Sequence, residues 1–145
     1  MARTILVVDD DPTVLQAYGR LLRRLGHRVL LADNPERVRA DPESLRGVDL
    51  LILDQRMPKT SGLELLASLR QRPISPGEDG ALRPPPMVIL ISAFLSEEIR
   101  DGAVRLGVAQ VIEKPVDPSF LLASVRAALD NCLQRQAPAE RSSRP

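Results

Sequence analysis

The runs Ile5-Leu6-Val7-Val8, Leu50-Leu51-Ile52-Leu53 and Val88-Ile89-Leu90-Ile91 are apolar at every position. A strand with one face in water alternates polar and apolar residues, so runs without alternation require cover on both faces. Five segments have strand length and β-branched content: Thr4–Val8, Arg28–Ala32, Asp49–Leu53, Met87–Ile91 and a shorter Gln110–Ile112. Helical patterns lie between them. The order is therefore strand then helix five times over, an α/β chain with a doubly wound, five-stranded parallel sheet and right-handed crossovers. In such open sheets ligands bind beyond the carboxyl ends of the strands, which makes those five ends the place to look for chemistry.

The helices carry their own punctuation. Val14, Leu15, Tyr18, Leu21, Leu22 and Leu25 recur at helical spacing, with Pro12 at the first helical position and Gly26 as the stop. Pro35 opens a second helix after Asn34, but Pro42 falls inside its pattern and should kink or split it. Leu63, Leu66 and Leu69 mark a third helix after Gly62, and Ile99, Ala103 and Leu106 a fourth between Ser96 and Gly107. Asp117-Pro118 opens a fifth, with Leu121, Val125, Leu129 and Cys132 on one face. Phe120, Leu121, Leu122 and Val125 crowd its start, mostly as core, with some left for a partner. His27 falls at the edge of the sheet away from the ligand crevice and is not a candidate base.

Composition narrows the function classes. At 145 residues and 43% hydrophobic the chain is one domain with a real core. Twenty basic residues against 19 acidic ones leave a formal charge of +1, so nothing global favours nucleic acid and any electrostatic function is local. No run spans a membrane, and Met1-Ala2-Arg3 leads straight into a strand, so the expectation is a cytoplasmic protein. The single cysteine, Cys132, can form no internal disulfide and reads as structural. Residues 72–86, RPISPGEDGALRPPP, form a long Pro/Gly-rich insert between a helix and a strand, read as a mobile connection or a proline-rich docking segment. The expected division is a folded domain over 1–136, insert included, and a disordered tail over 137–145.

At the strand ends stand Asp9, Asp10 and Asp11, then Asp54, then Ser92-Ala93, then Glu113-Lys114-Pro115. Taken singly, an Asp at a strand end is a helix cap or loop charge, Ser92 a turn residue and Lys114 a surface charge. Their common edge is what points to chemistry. Carboxylates gathered without a counter-charge repel and take up protons, so a cation is expected among them. All-oxygen donors in small number suit Mg²⁺, with Mn²⁺ as an alternative. A metal, a lysine and a hydroxyl are equipment for a phosphoryl group, and a carboxylate among them can be its nucleophile. Lys59 has no such company and reads as solvated loop. No glycine-rich phosphate loop, Cys/His metal spacing or HExxH motif is present.

The succession ILVVDDDP, LLILDQRMPKTSGLELL, VILISA and VIEKP resembles the receiver domain of bacterial two-component response regulators, from about Thr4 to about Gln134. The resemblance implies a chemotaxis-regulator-like fold of flavodoxin-like strand order 2-1-3-4-5. It implies Asp54 as phosphoacceptor, and Asp9, Asp10, Asp54 and the backbone carbonyl of Arg56 as the Mg²⁺ site. Ser92 takes the switch hydroxyl position, Ser92, Ala93 and Lys114 contact the phosphoryl group, and Pro58, Gly62 and Pro115 shape the loops. Asp11, just before Pro12, is left to cap the first helix, with Asp10 as direct metal ligand and Asp9 as a water-mediated one. The implied partners are a sensor histidine kinase or histidine phosphotransfer protein, a downstream effector on the helix 4, strand 5, helix 5 face, or a second copy of the chain. Such a protein catalyses its own phosphorylation and dephosphorylation and is otherwise not an enzyme.

Departures from the receiver pattern carry information. Three residues before Lys114 the family commonly has a Tyr or Phe that changes rotamer; here it is Val111, whose β-branched side chain has little to swing. Arg56 and Phe94 occupy positions that tune aspartyl-phosphate lifetime in the family, and neither activates water well, so slow autodephosphorylation is expected. Asp9, Asp11 and Thr13 also spell the D-x-D-x-T of haloacid-dehalogenase-type phosphatases, with Asp9 as nucleophile and Asp11 as acid. That family needs a further strand with an acidic pair after the lysine, and only Asp117 and Asp130 follow Lys114 before the tail, both within the helical pattern. A third reading is a degenerate receiver that only binds partners. Beyond the fifth helix only the tail follows, so output is expected through protein contacts or through a longer polypeptide. Arg135, Arg141 and Arg144 are too sparse to argue for direct nucleic-acid binding.

Overall fold

A computed structural model of the chain describes residues 2–72, 80 and 84–135, with side chains placed through residue 131. The apolar runs become β1 (Thr4–Val8), β2 (Arg28–Ala32), β3 (Leu50–Asp54), β4 (Met87–Ser92) and β5 (Gln110–Glu113). All neighbours pair in parallel, in the order β2-β1-β3-β4-β5. The helices are α1 (Pro12–Arg23), α2 (Pro35–Ala40), α3 (Gly62–Gln71), α4 (Glu97–Arg105) and α5 (Pro118–Arg135).

Lack of alternation along the strands has the expected cause. Ile5, Val7, Leu50, Ile52, Ile89 and Ile91 face one way, against Leu15 and Leu22 of α1 and Leu121, Val125 and Leu129 of α5. Leu6, Val8, Leu51, Leu53, Val88 and Leu90 face the other, against Val38 of α2 and Leu65, Leu66 and Leu69 of α3. Successive side chains thus supply two cores, and each fully buried leucine costs about 2–5 kcal/mol to cut back to alanine.

Asp11 caps α1, its carboxylate accepting from the Thr13 amide at 2.9 Å, and Gly26 ends the turn after it at φ 83, the left-handed region that favours glycine. The second helix splits as its proline predicts: α2 stops at Ala40, and a separate 3₁₀ turn occupies Pro42–Leu45. Ser96 caps α4 through the Ile99 amide at 3.2 Å, and Asp117 caps α5 through the Phe120 amide at 2.9 Å.

Several boundaries differ from the sequence reading. Asp49 precedes β3: its carboxylate accepts from the Thr4 amide at 2.9 Å and lies 3.5 Å from the Arg3 guanidinium. A side chain occupied in closing the sheet's amino-terminal end keeps its residue out of the regular strand. Asp54, Ser92 and Glu113 are instead the last residues of their strands. Gly62 lies inside α3 as its first residue, with Ser61 as the cap. His27 is away from the crevice, its Nδ1 accepting from the Arg3 amide at 3.0 Å. In the first turn of α5, Leu121 is core and Leu122 packs against it, while Phe120 is exposed. The Cys132 side chain, the tail 137–145 with Arg141 and Arg144, and the insert 72–86 apart from Arg72, Gly80 and residues 84–86 lie outside the described residues. The Arg135 side chain does also.

Candidate functional site

The carboxyl ends of β1, β3, β4 and β5 converge because the strands are parallel and in register. Asp54 pairs with Ile91, Ser92 pairs with Glu113, and the Lys114 amide donates to the Ser92 carbonyl at 2.8 Å. Asp9 follows β1, its amide donating to Ala32 at 3.1 Å and its Oδ1 accepting from the Asp11 amide at 3.0 Å. These backbone ties leave Asp9 and Asp54 only 3% and 6% exposed, while Asp10 reaches solvent.

One carboxylate oxygen from each of Asp9, Asp10 and Asp54 lies within 4.8 Å of the others. Lys114 Nζ approaches Asp54 Oδ1 at 3.0 Å. That oxygen is buried and has no well-aligned hydrogen-bond donor, the Lys114 ammonium being its close charged neighbour. Burial raises the Asp9 carboxyl to a pKa of about 6; the Asp11 amide and Lys114 oppose the rise, and Asp54 and Asp10 add to it. Burial also raises Asp54, with Lys114 as the chief opposing influence. For Lys114, burial disfavours the charge, but Asp54 and Asp9 outweigh it and hold the ammonium above its ordinary value. Negative charge therefore exceeds what one lysine compensates. The donor set fits a hard divalent cation: three carboxylates, no nitrogen or sulfur, and a buried oxygen without an aligned donor.

The loop after Asp54 is fixed from several sides. The Gln55 amide donates to Ile91 at 2.8 Å, its carbonyl accepts from the Gly62 amide at 2.9 Å, and its side-chain Oε1 accepts from the Leu63 amide at 3.0 Å. Met57 is buried in the core on the α3 side. Gly62 is required for packing: a Cβ there would stand 2.7 Å from the Asp54 carbonyl oxygen and 2.8 Å from Leu90 Cδ1. Its role is close approach of α3 to the strand, beyond the loop shaping expected of it. A cleft of about 530 Å³ opens beside this loop, lined in part by Arg56, Pro58, Lys59, Ser92, Ala93 and Phe94. A second, of about 370 Å³, has Asp10, Asp33 and Glu36 opposite Pro58 and Lys59. Lys59 thus stands between two clefts on an exposed loop.

Of the expected site residues, Asp9, Asp10, Asp54 and Lys114 come together. Arg56, Ala93 and Phe94 are exposed on the cleft wall, and Pro115 follows Lys114 through a cis peptide bond. Val111 is not at the site: it pairs with Leu90 and packs against the core on the α3 side of the sheet. The Ser92 hydroxyl is already engaged, with the backbone of Phe94. Sequence reasoning missed Gln55, the buried Thr60 and the site-facing aspect of Tyr18, whose phenol is raised by burial and feels Lys114, Asp9 and Asp54. Helical spacing put Tyr18 on the inner face of α1 but carried no sign of how near the strand ends it would come.

Asp11 serves as a cap, and among the described residues no strand follows β5, so the acidic pair of the phosphatase reading has no strand to stand on. The model for the response regulator receiver domain matches residues 5–126. The transcriptional regulatory protein CpxR of Klebsiella pneumoniae is 35% identical over 125 residues, 86% of this chain and 48% of that protein. A Thermotoga maritima protein named cyclic di-GMP phosphodiesterase is 29% identical over 128 residues, 88% of this chain and 31% of its own length. The chain thus spans half or less of these curated relatives. Among solved structures, a CheY-like receiver domain protein from Methanospirillum hungatei superposes with a TM-score of 0.79 at 26% identity, covering 93% of this chain and 99% of its own. A receiver protein from Pseudomonas putida gives 0.70 at 30% identity, covering 88% and 98%.

Proposed function

The chain belongs to the response regulator receiver domain family, and from that premise we propose that it is a phosphorylatable switch with Asp54 as the acceptor. The observation that carries the proposal is the gathering of Asp9, Asp10 and Asp54 within 4.8 Å, with Lys114 Nζ 3.0 Å from Asp54 Oδ1. In the proposed reaction an Asp54 carboxylate oxygen attacks the phosphorus of a phosphohistidine on a kinase or phosphotransfer partner. The O–P bond forms, the N–P bond breaks, and the imidazole leaves to take up a proton from solvent. Lys114 holds the unattacking oxygen and balances charge on the transferred group. Asp9, Asp10, Asp54 and the Arg56 carbonyl would hold Mg²⁺ or Mn²⁺, which when bound neutralises phosphoryl oxygens. Burial of Asp54 excludes competing water, and Arg56 and Phe94 at the cleft offer no base to activate it, so hydrolysis of the acyl phosphate is slow.

The added charge biases a two-state surface spanning α4, β5 and α5, where Val104 and Phe120 stand exposed to meet a protein effector or a second copy. The chain acts as a binding module, with no direct nucleic-acid or membrane contact of its own, and its setting is the cytoplasm. No described helix is long and apolar enough to cross a membrane.

The test is incubation with a small acyl phosphate and Mg²⁺, read by intact mass for wild type, Asp54→Asn and Asp9→Asn. Label on wild type and none on Asp54→Asn is expected. Label that survives Asp54→Asn but not Asp9→Asn would restore the phosphatase reading, and an unlabelled wild type would favour a receiver that only binds partners.

A further inference from the structure

The Ser92 hydroxyl donates to the Phe94 carbonyl at 2.6 Å and accepts from the Phe94 amide at 3.2 Å. One buried side chain thus clasps both backbone polar groups of the residue two positions on. A hydroxyl has a single proton to donate. While it points at Phe94 it cannot point at a group on Asp54, so any donation to a phosphoryl oxygen breaks the shorter of these bonds.

What the clasp holds is an aromatic ring 69% exposed to water, at the wall of the 530 Å³ cleft shared with Arg56, Thr60, Glu64 and Ile99. An exposed ring beside unfilled space has apolar surface to bury once its backbone is released. Residue 111 offers no competing device, since its valine is stiff at χ1 and already packed against the core on the α3 side of the sheet. The chain's other aromatic rings, Tyr18 and Phe120, stand on α1 and α5 and do not line this cleft.

We propose that Phe94 is a positioning residue for Ser92 and the moving aromatic of the switch. In the unmodified protein its backbone holds the hydroxyl away from Asp54 and its ring stands outward. A phosphoryl group on Asp54 draws the Ser92 proton across, the turn at residues 92–94 opens, and the ring folds into the cleft beside Arg56, over the acyl phosphate. The hydroxyl changes acceptor and no covalent bond is made. This rests on the phosphoacceptor reading of Asp54.

The chain has only two phenylalanines, Phe94 and Phe120, so incorporation of 4-fluorophenylalanine gives two fluorine signals, and Phe120→Leu assigns the one from Phe94. With acetyl phosphate and Mg²⁺, the Phe94 signal should move and lose most of its H₂O/D₂O difference in step with the phosphorylated mass. In unmodified Ser92→Ala, which lacks both clasp bonds, the same signal should already differ from wild type while the far-UV spectrum does not. Phe94→Ala should shorten the acyl-phosphate lifetime several-fold, and Phe94→Tyr should restore it. A stationary Phe94 signal in fully labelled protein overturns this inference and leaves the phosphoacceptor reading intact. Absence of label overturns that reading, and an unchanged signal in Ser92→Ala overturns the clasp whether or not label is taken.

Discussion

Gly62→Ala adds one methyl group at the first residue of α3, where nothing can yield cheaply. The new Cβ would lie 2.7 Å from the Asp54 carbonyl oxygen, 2.8 Å from Leu90 Cδ1 and 3.2 Å from the Asp54 carbonyl carbon. Two of those three atoms are backbone in the buried strand β3, so relief requires α3 to withdraw by roughly half an ångström, at a typical overpacking cost of about 1–3 kcal/mol. Better helix propensity returns up to ~1 kcal/mol, less at a helix end. The net expectation is a loss of about 1–2 kcal/mol. Gly102→Ala in α4 is the matched control. Its Cβ meets only Leu63 Cδ1, at 3.0 Å, the far end of a flexible side chain, so propensity decides and the variant should be neutral or slightly more stable. The chain has no tryptophan, so urea unfolding followed by far-UV circular dichroism is the suitable assay. With an m-value of about 1–3 kcal/mol/M, Gly62→Ala should lower the midpoint by roughly 0.5–1 M at unchanged m. Withdrawal of α3 also strains the Gly62-to-Gln55 hydrogen bond of 2.9 Å, so acceptance at Asp54 should slow. A Gly62→Ala midpoint equal to or above that of Gly102→Ala would refute the close-approach reasoning.

Asp9 gives a pH signature. Its folded pKa, raised from 3.8 to about 6, favours the folded state below pH 4, and that contribution disappears as pH rises through about 6, a loss of about 3 kcal/mol. Metal-free protein should therefore lose stability between pH 4 and 7, Mg²⁺ should reduce the loss, and a metal-free Asp9→Asn profile as steep as wild type would contradict this. Lys114→Met removes the chief influence holding the Asp54 pKa down, so acceptance from an acyl phosphate should fail at a higher pH than in wild type. Superimposable pH profiles would sink that expectation. Asp11→Ala loses the α1 cap and should cost about 1 kcal/mol in urea unfolding while the variant still takes label at Asp54. Abolished labelling in a folded Asp11→Ala protein would revive the general-acid role.

The sheet was legible because burial on both faces leaves a mark in every residue of a strand, as in the run from Leu50 to Leu53. The candidate site was legible for a related reason: in a parallel sheet, residues distant in sequence but standing at or just beyond the carboxyl ends of their strands must meet, and this brought Asp9, Asp54 and Lys114 together. Pro42 announced the break in the second helix because its missing N–H acts locally. What did not show were matters of distance between elements. Nothing in the order of residues tells that the Ser92 hydroxyl is spent on Phe94, that Gln55 ties the loop to α3, or that Asp49 leaves the strand to bind Arg3. Gly62 was seen as a glycine of the loop, yet the reason for it is an atom of another element at 2.7 Å.

The clasp of Arg3, His27 and Asp49 lies at the end of the sheet away from the carboxylates, and the Asp49 carbonyl accepts from the Met87 amide at 3.0 Å. Whatever length of chain joins α3 to β4, it re-enters the fold at a point whose register is already set. Loop-closure entropy grows by only about 0.6 kcal/mol for each doubling of length, so the connection leading up to the buried Pro86 can be lengthened, shortened or fused to another module at little cost. The amino-terminal end of this sheet is thus a site of evolutionary freedom and a practical attachment point for engineering, insulated from Asp54 by the full length of β4.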